Sequence, residues 1–126
     1  MDKCLVYNGS SSEIVGHCDA DWASDVDSRR STTDYVCLHQ GAAISWGTRR
    51  QKTIALSTTE AEFMAIVAAI QESIWLKRLE EELVTGDLKT MTIYCDNKSA
   101  LHIATNNSFS NRTKHVDIKL NLYMNL

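Results

Sequence analysis

Two stretches of this chain run apolar and then reach an aspartate: Val15-Gly16-His17-Cys18-Asp19 and Ile93-Tyr94-Cys95-Asp96. Side chains alternate between the faces of a strand, so Cys18 lies opposite Asp19 and Cys95 opposite Asp96. If the two strands are parallel neighbours, both cysteines go to one face and both carboxylates can meet on the other. A single strand-end aspartate is commonly a turn former or a helix cap. Two of them on adjacent strands point to a shared cation.

A third acid comes from Ser57-Thr58-Thr59-Glu60-Ala61-Glu62, which opens a long helical pattern. Two capping boxes are available there, Ser57 with Glu60 and Thr59 with Glu62. The two glutamates point about 200° apart around a helix, so only one can face a sheet squarely. Glu62 shares its side with Ile66, Ala69 and Ile70 and is assigned to the site. Glu60 is assigned to the helix start.

Three carboxylates do not gather without a reason. Two unit charges ~4 Å apart repel by about 4 kcal/mol at an effective dielectric near 20. Protons or cations must offset that cost. Oxygen-only ligands select Mg2+ or Mn2+ over zinc. A pair of such ions ~3.5–4 Å apart clamps a scissile phosphate, which makes phosphodiester hydrolysis the reaction class. A zinc module from His17, Cys18, Cys37, His39 and Cys95 fits poorly, because strand alternation separates His17 from Cys18 and no ligand spacing matches.

The positioning elements follow from periodicity. Residues 13–19 (EIVGHCD), 33–39 (TDYVCLH) and 42–47 (AAISWG) read as strands, with Gln40-Gly41 as a hairpin turn. From Thr58 to about Leu83 the spacing is helical, and the alanines make its first half apolar most of the way round. Gly86 follows as a candidate C′ residue. Residues 91–96 (MTIYCD) form a fourth strand. Asp96 or Asn97 caps a short helix through Thr105. A polar loop, 108–114, leads to a last helix from about His115, with Val116, Leu120 and Tyr123 on one side. The order β-β-β-α-β-α-α predicts an α/β layer whose fourth strand lies parallel to the first.

The 126 residues suit one domain, 1–126. There is no proline, and the formal net charge is −3, unlike the basic surplus usual in nucleic-acid binders. Positive charge is nonetheless clumped at Arg29-Arg30, Arg49-Arg50 with Lys52, Lys77-Arg78, and Arg112 with Lys114. No stretch approaches the ~20 apolar residues of a membrane span. The four cysteines form no CxxC pair and read as small hydrophobes in a reducing, intracellular setting. Trp46 and Trp75 are expected in the core or at its rim. Trp22, just past the first acid, is a substrate-contact candidate.

These residues resemble the ribonuclease H domain of copia-type LTR retrotransposon Pol polyproteins. The signposts are CDADWASD (18–25), DSRRSTT (27–33), ISW (44–46), ALSTTEAEF (55–63), WLKRLEEEL (75–83), YCDNKSA (94–100) and RTKHVDI (112–118), together covering nearly the whole chain. The resemblance implies a ribonuclease H-like layer that cuts the RNA strand of an RNA–DNA hybrid with Mg2+, Mn2+ being possible. Asp19 looks like the first acid, which bridges both metals. Glu62, in Glu62-Phe63-Met64-Ala65, looks like the second, and Asp96, in Asp96-Asn97, the third. Expected substrate contacts are Trp22, Asn97, Arg112, Lys114 and His115.

Asp117 resembles an aspartate without a catalytic role. The fourth acid, the fifth strand and the last helix are expected beyond Leu126. That leaves the strand from Met91 as an open edge prone to self-association, with activity well below that of a complete domain. Residues 1–12 look like the remnant of the connection from the polymerase region. The implied partner is a covalently linked reverse transcriptase, in the cytoplasm or a virus-like particle. Where this chain has Asp34 the family usually has glycine, read as a minor surface change. The alternative function is an inert remnant that folds and at most binds nucleic acid.

Overall fold

The computed structural model describes residues 3–7, 9, 13–83, 91–106 and 118–122. Strands β1 (Ile14–Asp21), β2 (Thr32–His39) and β3 (Ala42–Arg50) make an antiparallel meander. The β2–β3 turn places both Gln40 (φ 52°) and Gly41 (φ 84°) in the left-handed region. A type I′ two-residue hairpin requires that of both central positions. Helix α1 (Thr58–Leu83) follows, then β4 (Met91–Cys95), helix α2 (Lys98–Asn106) and β5 (Ile118–Leu122).

The sheet order is β3-β2-β1-β4-β5. β4 pairs parallel with β1 on one side (Val15↔Thr92, His17↔Tyr94) and with β5 on the other (Met91↔Ile118, Cys95↔Leu122). The predicted α/β class and the parallel fourth strand therefore hold. The last element does not: part of the segment expected as a final helix is the fifth strand, so that strand lies within the chain. Leu120 and Tyr123 fit a helical stripe, but Ile118, Leu120 and Leu122 equally fit a period of two. The unpaired side of β4 decides between them, because buried N–H and C=O groups there need partners. The open edge expected at β4 is thus closed. The expected helix start at His115 lies outside the described residues.

α1 lies on one face of the sheet, against β1, β2 and β4, and α2 packs beside it. Ile14, Cys18, Cys37, Met91, Ile93 and Cys95 from the sheet meet Ala65, Ile66, Ala69 and Ile70 from α1. Gly16 lets the helix come close: a Cβ there would stand 3.3 Å from Ile93 Cγ1 and 3.7 Å from Ser73 Oγ. The opposite face carries Val15, His17, Asp19, Val36, Trp46 and Tyr94, which alternate with the core set. Trp46 and Trp75 are 66% and 56% exposed, so neither is a core residue. Edge position accounts for Trp46, and a helix flank turned from the sheet for Trp75. No helix among the described residues is long and apolar enough to cross a membrane.

Candidate active site

Because β1 and β4 run parallel, their carboxyl ends fall at the same end of the sheet. Continuing the register His17↔Tyr94 by two residues brings Asp19 level with Asp96. Cys18 and Cys95 are buried while Asp19 and Asp96 are exposed, as alternation requires. The first turns of α1 arrive at this same end.

Their start is fixed by a cap. Ser57 Oγ accepts from the Glu60 amide at 3.1 Å, and Glu60 Oε2 accepts from the Leu56 amide at 2.7 Å. Glu60 is thereby engaged in holding the helix start. Glu62 turns inward and is only 8% exposed. Asp19, Glu62 and Asp96 each offer an oxygen within 4.8 Å of the other two.

The electrostatics follow from that crowding. The Glu62 carboxyl is pushed up to about 8, first by burial, then by hydrogen bonding to Asp19 and the charges of Asp19 and Asp96. A hydrogen bond from the Ala20 backbone pulls weakly the other way. Glu62 Oε2 is buried with no hydrogen-bond partner among the described residues. Asp19 Oδ1 is held by the Ala20 amide at 2.8 Å. The Cys18 thiol donates to the Tyr94 carbonyl at 3.6 Å, and burial pushes its pKa far up, so it stays neutral. Oxygen-only donors, a buried unsatisfied carboxylate oxygen and mutual repulsion together fit a hard divalent cation.

The flanking residues are less uniform. The Trp22 indole N–H donates to the Ala55 carbonyl at 3.0 Å, which ties the β1 exit to the approach of α1 and leaves the ring 46% exposed. Asn97 Oδ1 accepts from the Ala100 amide at 2.9 Å as the N-cap of α2. Arg112, Lys114, His115 and Asp117 lie outside the described residues.

Asp34 is closer to the site than its reading as a minor surface change implied. It pairs directly with Asp19 across β1 and β2. Both line a groove of about 280 Å3 on the open face, with His17, Val36, Trp46 and Thr48. Counting back from the Gln40-Gly41 turn sets the β2–β3 register but not that of β1, so no local pattern could have signalled the pairing.

No family model matches the chain. It is 44% identical over 116 residues to the retrovirus-related Pol polyprotein from transposon TNT 1-94 of Nicotiana tabacum, covering 92% of this chain and 9% of that protein. It is 33% identical over 121 residues to the Pol polyprotein from transposon RE1 of Arabidopsis thaliana, covering 96% of this chain and 8% of that one. The chain thus spans less than a tenth of the length of these relatives. Among solved structures, LC11-RNase H1, isolated from compost by a metagenomic approach, superposes with a TM-score of 0.62 at 10% identity, over 90% of this chain and 85% of that one. Its complex with an RNA/DNA hybrid also gives a TM-score of 0.62, at 9% identity, over 88% and 85%. Sequence kinship and fold agree: the chain is similar to one segment of the retrovirus-related transposon Pol polyproteins and has the ribonuclease H fold.

Proposed function

We propose that this segment hydrolyses the RNA strand of RNA–DNA hybrids, with Asp19, Glu62 and Asp96 as the catalytic and metal-binding residues. The observation that carries the reading is the meeting of these three carboxylates within 4.8 Å, with Glu62 Oε2 buried and unpartnered among the described residues. The Pol relatives and the hybrid bound to the structural neighbour support the same substrate class. On this reading the working context is the longer polyprotein, joined to reverse transcriptase, in the cytoplasm or a virus-like particle.

Asp19, Glu62 and Asp96 would hold a pair of Mg2+ ions, or Mn2+ in their place, which would supply water activation and neutralisation of the charge building on the phosphate. The protein's own part is preorganisation. The Ala20 amide fixes one Asp19 oxygen and leaves the other for a cation. Glu62, protonated near neutral pH when alone, gives up that proton to serve as a ligand. The Ser57–Glu60 cap holds the helix turn from which Glu62 projects. Trp22 and Asn97 border the site and contact the hybrid, and Arg112, Lys114 and His115 grip its phosphates.

The test is cleavage of a hybrid labelled on its RNA strand, with Mg2+ and with chelator, beside a DNA duplex of the same sequence. Mg2+-dependent cutting confined to the RNA strand is expected. A folded chain that binds hybrid but leaves it intact at any Mg2+ or Mn2+ concentration would establish the inert alternative.

A further inference from the structure

Gln51, just past β3, is a loop glutamine that no sequence pattern singled out, yet it is only 6% exposed. Its side-chain amide donates to the Ala61 carbonyl at 3.0 Å and to Thr33 Oγ1 at 2.9 Å, while its backbone amide donates to the Ser31 carbonyl at 2.8 Å. A carbonyl can only accept, so the Ala61 bond fixes which way the amide faces. The consequence is that Gln51 Oε1 is buried with no partner among the described residues. A buried acceptor is normally satisfied. Here satisfaction is forgone while the two bonds from the nitrogen are kept.

Both bonds lead to the carboxylates. Ala61 is fully buried in the opening turn of α1 and directly precedes Glu62. Thr33 pairs across β1 and β2 with Ala20, whose amide holds Asp19 Oδ1. We propose that Gln51 is a positioning residue whose buried amide locks the helix turn carrying Glu62 to the strand row carrying Asp19. The inference rests on the reading of these carboxylates as a metal site. It adds that their spacing is set by one side chain outside the acid set. Alternatively, Gln51 merely fills a buried space and stabilises the loop, and the experiment separates the two.

Gln51→Met keeps length and apolar bulk but removes the donor. Thr33→Val removes the other partner of the same amide and leaves the Ala61 bond in place. Mn2+ affinity measured by calorimetry, with kcat and KM for hybrid beside it, is expected to fall about tenfold in Gln51→Met for both affinity and kcat, with KM within twofold. Thr33→Val cuts the strand end of the same tether and is expected to lower affinity and kcat in the same direction, with KM again within twofold. Metal affinity equal to that of the wild-type chain in either folded variant, with only the melting temperature lowered, overturns the proposal and leaves Gln51 as a filler of buried space.

Gln51→Glu is the milder variant should Gln51→Met not fold. A protonated carboxyl can still donate to Ala61, so its Mn2+ deficit relative to the wild-type chain should shrink as pH falls. A deficit constant with pH overturns the tether. A wild-type chain that binds no Mn2+ sinks the metal-site reading and this inference with it. A wild-type chain that binds and cuts while Gln51→Met does the same sinks only this inference.

Discussion

Asp19 and Glu62 bring carboxylate oxygens within 4.8 Å of each other from opposite surroundings, one on an exposed strand end and the other only 8% exposed on a helix. The contact is repulsive when both are ionised and attractive when Glu62 keeps its proton. Removing the Asp19 charge should therefore separate function from stability.

Asp19→Asn is expected to abolish hybrid cleavage and leave the fold intact. Without metal its stability at pH 7 should be no lower than that of the wild-type chain. Above pH 8, where Glu62 ionises, the gain should reach about 1 kcal/mol, since like-charge repulsion is relieved and an amide can donate to Glu62. Urea unfolding at pH 7 and pH 9 in chelator measures this. An unfolded variant, or one that still cuts at the wild-type rate, removes Asp19 from the site.

The raised Glu62 pKa makes stability depend on pH in a definite direction. Between its ordinary value of 4.5 and about 8, the folded chain holds a proton that the unfolded chain has lost. The folded state binds more protons, so stability falls as pH rises through that window. Each tenfold difference in proton affinity between the two states corresponds to about 1.4 kcal/mol, spread over three coupled acids rather than owned by one. His17, whose pKa burial lowers from 6.5, works the other way at the acid end, so the slope is cleanest from pH 7 to 8. Mg2+ should abolish it, because a bound cation favours ionised Glu62 in the folded state. A melting temperature that does not fall from pH 7 to 8 in chelator would falsify the account of Glu62.

Much of this site was legible because two periodicities carry it. Alternation put Cys18 and Cys95 inside and left Asp19 and Asp96 outside, and a 100° step per residue separated Glu62 from Glu60. The Ser57–Glu60 cap could be read for the same local reason. What failed was non-local. Residues 118–122 satisfy both a strand and a helix template, and only the unpaired flank of β4 decides between them. Asp34 and Gln51 matter through cross-strand register and a buried amide, neither of which leaves a trace in the local pattern.

β5 yields a stability prediction. Leu120 pairs with Ile93 and packs against the main core while remaining partly exposed. Leu120→Ala should cost about 2 kcal/mol, at the low end for a leucine truncation because the site is not fully closed. Leu120→Asp should cost more and promote self-association by loosening β5 from β4. Urea denaturation and sedimentation of the two variants check this. A loss below about 0.5 kcal/mol in Leu120→Ala would place it with ordinary surface changes and argue against the fifth strand.

Asp34 tests how the open face talks to the site. Directly cross-paired residues have Cβ atoms ~4.5–5.5 Å apart, and Asp34 and Asp19 line the same groove. A carboxylate there attracts a cation toward Asp19 but repels an approaching phosphate backbone. Both effects are near solvent, so each is roughly 1 kcal/mol or less. Asp34→Asn should therefore raise the Mg2+ concentration for half-maximal rate and lower KM for the hybrid, each by about two- to fivefold. At saturating Mg2+ kcat should not change, since Asp34 is outside the set of three whose oxygens lie close enough together to hold one cation. Adding salt should shrink the difference in KM by screening it. If instead kcat collapses at saturating Mg2+, Asp34 is itself a ligand, and the carboxylate set would have to be redrawn across β2.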